Sequence, residues 1–496
     1  MLLLGIDIGT SSIKVAVVDA GTQRCLATAS YPETTEREIK SQKVGWAEQD
    51  PERWWSDVKA AIALAHATGH YDPTKIQAIG ITYQMHGLVL VDEQLNLLRD
   101  AIIWCDSRAI EVGQKALNAL GEQQCLESLL NFPGNFTAAK LGWVKENEPE
   151  IYREIYKMML PGDYIAMKLS GQITSSPSML SEGILWDFKK EELAGSVLDY
   201  FGFSAGLFPE CQPVFSEHGN VSEAVAAELK LPIGTPICYK AGDQPNNALS
   251  LGVLEPGEIA TTAGTSGVIY AVTDQLGFDP LSRVNTFAHV NHSTESRRLG
   301  VLLCINGTGI SNHWIKKVTR DDISYNQMDD LAFQVPVGAE GLLFLPFGNG
   351  AERMLCNAQI GAHLSDIDLN NHGQTHIYRA VHEGIAFSFR YGLDIMREGG
   401  MQTRVVKAGK ANMFLNRTFT QAFVNTTGLT LELYRTDGSI GAALGAGIGL
   451  GYYRRPADAF TKLELIETVQ PDPALMRAYD TVYAKWKAAL SLHMEP

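Results

Sequence analysis

The sequence predicts a mixed α/β protein built from two related lobes. β-branched, strand-like runs alternate with helical spacing in both halves of the chain, a pattern that favours sheets layered against helices. The string GTSSIKVAVVD at 9–19 aligns without a gap with GTSGVIYAVTD at 264–274, and six of the eleven positions are identical. The two copies start about half a chain apart, which points to a duplicated domain rather than a short-period repeat. The length of 496 residues, at about 150 residues per domain, leaves room for two to four domains.

Taken in order, LLLGIDIG (2–9) and IKVAVVDAG (13–21) read as the strands of a hairpin with GTSS at its bend. Asp50, Pro51 and Glu52 open a helix over 51–66, because an acid followed by proline suits a helix N-terminus. IQAIGITY (76–83) and LVLVD (88–92) read as further strands, and TPICYK before Gly242 as another. Helical spacing recurs in 138–148, 376–398 and 473–492. The run GAGIGLG (445–451) does not fit GxGxxG and reads instead as a helix that packs closely. There is no low-complexity linker, so the lobes, 1–248 and 249–496, must meet at a compact boundary.

Lys and Arg number 41 against 56 Asp and Glu, a net charge of −15. Such a surface repels nucleic-acid backbones and anionic lipid, which argues against both as partners. It does not prevent backbone amides from holding a phosphate inside a cleft. The composition, 45% apolar and 20% charged, is that of a globular protein. No run approaches the roughly 18 apolar residues of a membrane span. The start reaches Asp7 without a basic region, unlike a signal peptide. Seven cysteines without a CxxC pair read as reduced and mostly packed in the interior. These features predict a soluble cytoplasmic protein, and an enzyme first of all.

The two bends offer chemistry. Gly9, Thr10 and Ser11, and equally Gly264, Thr265 and Ser266, present amides and hydroxyls that make an anion nest. One copy alone fits a plain hairpin turn as well; two copies, one per lobe, fit two jaws on a polyphosphate. Asp7 beside such a bend makes sense as a ligand of Mg²⁺, direct or through water, or as a turn cap. Asp243 in KAGDQPNNALSLG follows a strand at the junction of the lobes. It suits a substrate-facing acid, an Asx turn or a helix N-cap. QMHG (84–87) and WCDSR (104–108) place Gln84, His86, Asp106 and Arg108 at strand ends, where α/β folds build ligand sites and where these groups can read the hydroxyls of a small polyol. His86 fits a structural role equally. His289 and His292 lack a third metal ligand, and no GxSxG elbow is present.

GIDIGTSSIKVAVVD, GWAEQDPERWW, QMHG, WCDSR, NFTAAKLGWVKENEPEIY, LPGDYIAMKLSG, AGDQ and TAGTSG together resemble the FGGY carbohydrate kinases across essentially the whole chain. The resemblance implies two ribonuclease H-like domains flanking a cleft, as in the actin, hexokinase and heat-shock 70 superfamily, with ATP phosphates between the bends. It implies Asp243 as general base and Asp7 on Mg²⁺. It also implies Gln84, Met85, His86, Trp104 and Asp106 against a ketose, and Gly409 and Asn412 near the nucleotide. The pairing of QMHG with Trp-x-Asp-x-Arg implies D-xylulose as acceptor, with sedoheptulose, ribulose or gluconate as alternatives. A superfamily ATPase without a sugar substrate would not need that pairing. A homodimer is common in the family. The sequence departs from the family pattern at Ala408 and Lys410, where glycines are usual and where Lys410 is within chain reach of a phosphate. It departs also at Met354-Leu355 after Glu352-Arg353, and at Cys105 where Asn is common.

Overall fold

The computed structural model describes residues 1–33 and 38–494. A five-stranded sheet forms from β1 (Leu2–Ile8), β2 (Ile13–Asp19), β3 (Arg24–Tyr31), β4 (Ile76–Tyr83) and β5 (Ile237–Gly242), in the order β5-β4-β1-β2-β3. The first three strands are an antiparallel meander, and β4 and β5 add in parallel. The second half repeats this plan with β6 (Glu258–Ala263), β7 (Gly267–Thr273), β8 (Asn285–Ala288), β9 (Leu299–Ile305), β10 (Val405–Gly409), β11 (Thr430–Arg435) and β12 (Glu464–Val469). Its order is β8-β9-β7-β6-β10-β11-β12. Here β6, β7 and β9 form the meander and β10 and β11 the parallel addition, with β8 and β12 as extra edges. Each copy of the duplicated string covers the first bend of its lobe and the strand that leaves it.

Helix α1 (Pro51–Ala67) begins where the sequence predicts: the Asp50 carboxylate accepts the Glu52 N–H. Trp54, Val58, Ala61, Ile62 and Ala65 form one buried stripe against β2 and β3. Fully burying a chain the size of Val58 or Ile62 stabilises by about 1.5–3 kcal/mol, and an alanine methyl by about 0.8 kcal/mol. The other helices that matter for the site are α2 (Asp243–Ser250), α3 (Gly309–Thr319), α4 (Gln374–Glu398), α5 (Gly438–Gly449) and α6 (Pro473–Met494). The α4 and α6 helices close the core of the second sheet, where Tyr479, Tyr483, Trp486 and Leu490 line the inner face of α6.

Helix α5 belongs to the second half but lies on the first sheet. A Cβ on Gly5 would overlap the Ser439 carbonyl, one on Gly80 the Ala442 carbonyl, and one on Gly449 the Cys238 carbonyl. Glycines on both sides, Gly5 and Gly80 on the strands and Gly449 on the helix, thus bring α5 into backbone contact with three strands. The line at 248/249 falls inside α2, which itself packs on α5. A buried layer also joins the lobes: Asn131 exchanges hydrogen bonds with Asn285 and Thr286, and the Ser181 hydroxyl accepts from Ala288 N–H at 2.9 Å.

All seven cysteines are free, but only Cys125 and Cys238 are buried; Cys25, Cys105, Cys211, Cys304 and Cys356 are exposed. This corrects the expectation of mostly packed thiols: several stand on sheet edges or loops, where alternation turns them outward. Among the described residues no helix is long and apolar enough to cross a membrane.

Candidate active site

The first bend joins the two polar loops. Gly9 N–H donates to Ser12 O at 3.1 Å and closes the β1–β2 hairpin. The Thr10 hydroxyl donates to Gln84 Oε1 at 3.0 Å and accepts from Trp104 Nε1–H at 2.9 Å. Gln49, inside GWAEQDPERWW but given no role by the sequence, donates to Thr10 O at 2.9 Å and accepts from Gln84 Nε2 at 3.0 Å and from Trp54 Nε1 at 3.1 Å. Of the two hydroxyls expected to face an anion, Thr10 is therefore turned toward QMHG and WCDSR, while Ser11 stays exposed.

Met85 is buried beneath the junction of β5 and α2, where a Cβ on Gly242 would meet its Cγ and Glu182 Oε2. His86 has a left-handed backbone, φ 60°. Its Nδ1 lies 3.0 Å from the Glu182 carbonyl, and its ring meets Phe136 edge-on at 4.8 Å and Phe287 at 5.5 Å. Burial, then the Lys140 ammonium, then Arg353 push its pKa down to about 3, against the Glu182 carbonyl. Asp106 is 1% exposed, gripped by the Arg108 guanidinium and by Ala47 N–H at 2.6 Å. Both of its oxygens are engaged within the chain, so it braces its loop. Trp104 stands 53% exposed.

Three carboxylates from separate elements converge. Asp7 leaves β1; Asp243 opens α2, with Gly242 rather than Asp243 as N-cap; Asp437 caps α5 through Ile440 N–H at 3.1 Å. Burial raises Asp243 to about 6, opposed by hydrogen bonds to Gln244. Burial, then Asp243, then Asp437 raise Asp7 to about 7, with Lys14 opposing. The N-termini of α2 and α5 both meet this cluster, and their dipoles favour an anion there.

In the second lobe a cleft of about 650 Å³ is lined by Gly264, Thr265, Asn312, Tyr325, Asn412 and neighbouring groups. Gly309 N–H donates to Gly264 O at 2.8 Å and Ile310 N–H to Thr265 O at 3.1 Å, seating this bend on the start of α3. Ser266 is exposed. Asn412 adopts φ 54° at the cleft wall. Gly409 ends β10 three residues earlier and does not line the cleft. Lys410, which the sequence places within reach of a phosphate, instead pairs with Glu467 at 2.6 Å. Glu352 accepts Asn306 N–H with both oxygens and burial raises it to about 7. Arg353 reaches from this lobe over the Phe136 ring, 5.9 Å from its centroid. His289 bonds Tyr270 and the Val253 carbonyl, and His292 bonds Glu191.

Sequence reasoning missed Gln49, Lys140, Glu182 and Asp437. Gln49 and Lys140 lie in the stretches GWAEQDPERWW and NFTAAKLGWVKENEPEIY that carry the resemblance, and Asp437 is an acid before a small-residue helix start.

The likenesses to known proteins agree with this geometry. The N-terminal-domain model of the FGGY family of carbohydrate kinases matches residues 2–250, and its C-terminal-domain model matches 259–450. A xylulose kinase from Bacillus subtilis is 29% identical over 98% of this chain and 97% of its own. The crystal structure of a xylulose kinase from Rhodospirillum rubrum superposes with a TM-score of 0.89 at 25% identity, covering 99% of both chains. That of a gluconate kinase from Lactobacillus acidophilus shares the fold, with a TM-score of 0.90 at 21% identity over 99% of this chain and 98% of its own. Two lobes with one repeated bend apiece are what the actin, hexokinase and heat-shock 70 fold provides, and with both domain models matched in order, the chain belongs to the FGGY family of carbohydrate kinases.

Proposed function

We propose that the chain transfers the γ-phosphoryl group of ATP to the terminal hydroxyl of D-xylulose, giving D-xylulose 5-phosphate. What carries the choice of sugar is the similarity to xylulose kinases along nearly the whole of both chains. The transition state of such a transfer is loose, so the protein chiefly aligns reactants and stabilises charge. Asp243 accepts the hydroxyl proton late in the step; with a pKa near 6 it is ionised at neutral pH and still basic enough to take it. Met85, His86 and Trp104 hold the sugar, Gln84 acts through Thr10 and Gln49 to hold their loops, and Asp106 acts through Arg108 to hold the loop that carries Trp104. The bends at Gly9–Ser11 and Gly264–Ser266 meet the phosphates, and Asn412, with Gly409 behind it, bounds the nucleotide.

Asp7 fits Mg²⁺. It is a carboxylate whose ionisation is opposed by Asp243 and Asp437, a strain a cation relieves. Among the described residues no three His, Cys, Asp or Glu side chains are arranged to hold a metal alone, which suits an ion that takes phosphate and water for its other ligands. When bound, the ion neutralises phosphate oxygens.

A second reading, an aldonate acceptor, is favoured by Arg353: among the described residues its guanidinium has a carbonyl partner, Ser282 O at 3.3 Å, and no carboxylate within salt-bridge distance. ADP release over D-xylulose, sedoheptulose, ribulose and gluconate, with a no-sugar control, separates the readings. Strong stimulation by D-xylulose is expected. Gluconate as the better acceptor would establish the second reading, and equal release without sugar would overturn both.

A further inference from the structure

Lys140 lies on the helix Thr137–Asn147, and its side chain is fully buried. Its Nζ donates to two carbonyls, His86 O at 2.7 Å and Ile103 O at 3.0 Å. No carboxylate stands within salt-bridge distance among the described residues. The first carbonyl belongs to the left-handed residue of QMHG and the second directly precedes WCDSR. One ammonium therefore ties together the two loops that hold the sugar in the reading above, on which this inference rests.

The clamp has a consequence for hydrogen-bond polarity. The Glu182 carbonyl can only accept, so His86 Nδ1 must carry the proton in that 3.0 Å bond. A neutral imidazole then has a bare lone pair at Nε2. Nε2 takes no hydrogen bond from the chain among the described residues. The groups facing the ring are the Lys140 ammonium and the Glu182 carbonyl in the first lobe, Arg353 from the second, and the Phe136 and Phe287 rings, with the Glu182 carboxyl held by the Tyr83 hydroxyl at 3.0 Å. Burial first, then Lys140 while it is charged (burial lowers its own pKa to about 7) and Arg353, oppose a second proton on the ring, and charged or neutral the Lys140 amine keeps N–H donors for both carbonyls.

We infer that Lys140 is a positioning residue of the sugar site, clamping the His86 and Ile103 carbonyls so that His86 Nε2 is presented as an acceptor-only contact for a substrate hydroxyl. A hydroxyl donates into Nε2; a group with no proton to donate is not read there. Removing the clamp frees the left-handed turn, and the ring loses both its direction and its single tautomer.

Lys140→Met, which keeps the length and apolar stem, tests this with the full-length enzyme and whichever sugar stimulates ADP release. KM for the sugar is expected to rise at least about tenfold, or 1.4 kcal/mol. The turnover number and KM for ATP should stay within about threefold, a contrast general misfolding would not produce. Nitrogen-15 NMR of the histidine rings gives a second, sugar-independent readout. In the wild type His86 should show protonated Nδ1 and bare Nε2 from pH 5.5 to 8.5, and in Lys140→Met a mixture of tautomers. An unchanged sugar KM in a folded Lys140→Met enzyme overturns the inference. So does an Nε2–H or imidazolium signal for wild-type His86, which decides the matter even where the variant does not fold. Absence of stimulation by any sugar, with the wild-type tautomer as stated, would count against the proposed function and leave the clamp standing.

Discussion

Replacing Asp7 by Asn should stabilise the protein while impairing it. Asp7 ionises near 7 in the folded chain against an ordinary 3.8, because burial and the carboxylates of Asp243 and Asp437 oppose its charge. Between those values the folded chain keeps a proton that the unfolded chain releases. Stability therefore falls as pH rises through this window, and the full penalty is present above about 7. A shift of roughly three units at 1.36 kcal/mol each corresponds to about 4 kcal/mol. Water at the cleft edge screens part of it, leaving about 2 kcal/mol as the working figure. Asn has nearly the same shape and no charge. Urea titrations in EDTA should show Asp7→Asn about 2 kcal/mol more stable than wild type at pH 8, with the gain shrinking toward zero near pH 4. Millimolar Mg²⁺ with ADP should stabilise the wild type more than the variant. A variant at pH 8 in EDTA that is no more stable than wild type would refute the claim that Asp7 sits in a field of like charge.

Asp243→Asn should lower turnover at least about a hundredfold with both KM values within a few fold, and wild-type turnover should fall below pH 6 as Asp243 takes up its proton; steady-state kinetics over pH 5–8 check both. Thr10→Val removes the hydroxyl between Gln84 and Trp104 and leaves the buried Gln84 oxygen unpaired, a loss of about 1–3 kcal/mol. If the hydroxyl serves the sugar loops, KM for the sugar rises more than KM for ATP, and the reverse ratio would return Thr10 to the phosphate. Gly80→Ala places a methyl on the Ala442 carbonyl and should destabilise by on the order of 3 kcal/mol or more, visible as a lowered Tm, whereas Gly277→Ala, with open space around it and no left-handed backbone, should do far less.

What the sequence made legible was local. The Asp50-Pro51 start of α1 and the apolar, β-branched runs of β1, β2 and β4 depend on neighbours a few residues away, and each forms where expected. The repeat was legible because both copies occupy the same place in the same meander, so the lobe plan could be read from eleven residues. Lys140 shows the opposite case. In TAAKLGW nothing marks it as buried; its environment is made by carbonyls at 86 and 103. Glu182 meets Tyr83 across 99 residues, and no spacing rule reaches that far. The direction of the Thr10 hydroxyl is of the same kind, since a bend constrains the backbone but the partners of a side chain come from elsewhere in the fold.

Helix α5 explains why a duplicated chain is not simply two copies side by side. Its N-cap carboxylate, Asp437, joins Asp7 and Asp243, while Gly5, Gly80 and its own Gly449 lock it to β1, β4 and β5 of the other half. A movement of the second lobe cannot shift Asp437 away from Asp7 without breaking that packing, because backbone touching backbone leaves no side chain to re-pack. The α2 helix, fixed to α5, carries Asp243 with it. The three carboxylates thus ride on one rigid block in the first lobe, while the Gly264–Ser266 bend is seated on α3 in the second. A displacement of that bend relative to the block leaves unaltered the field that sets the ionisation of Asp7 and Asp243.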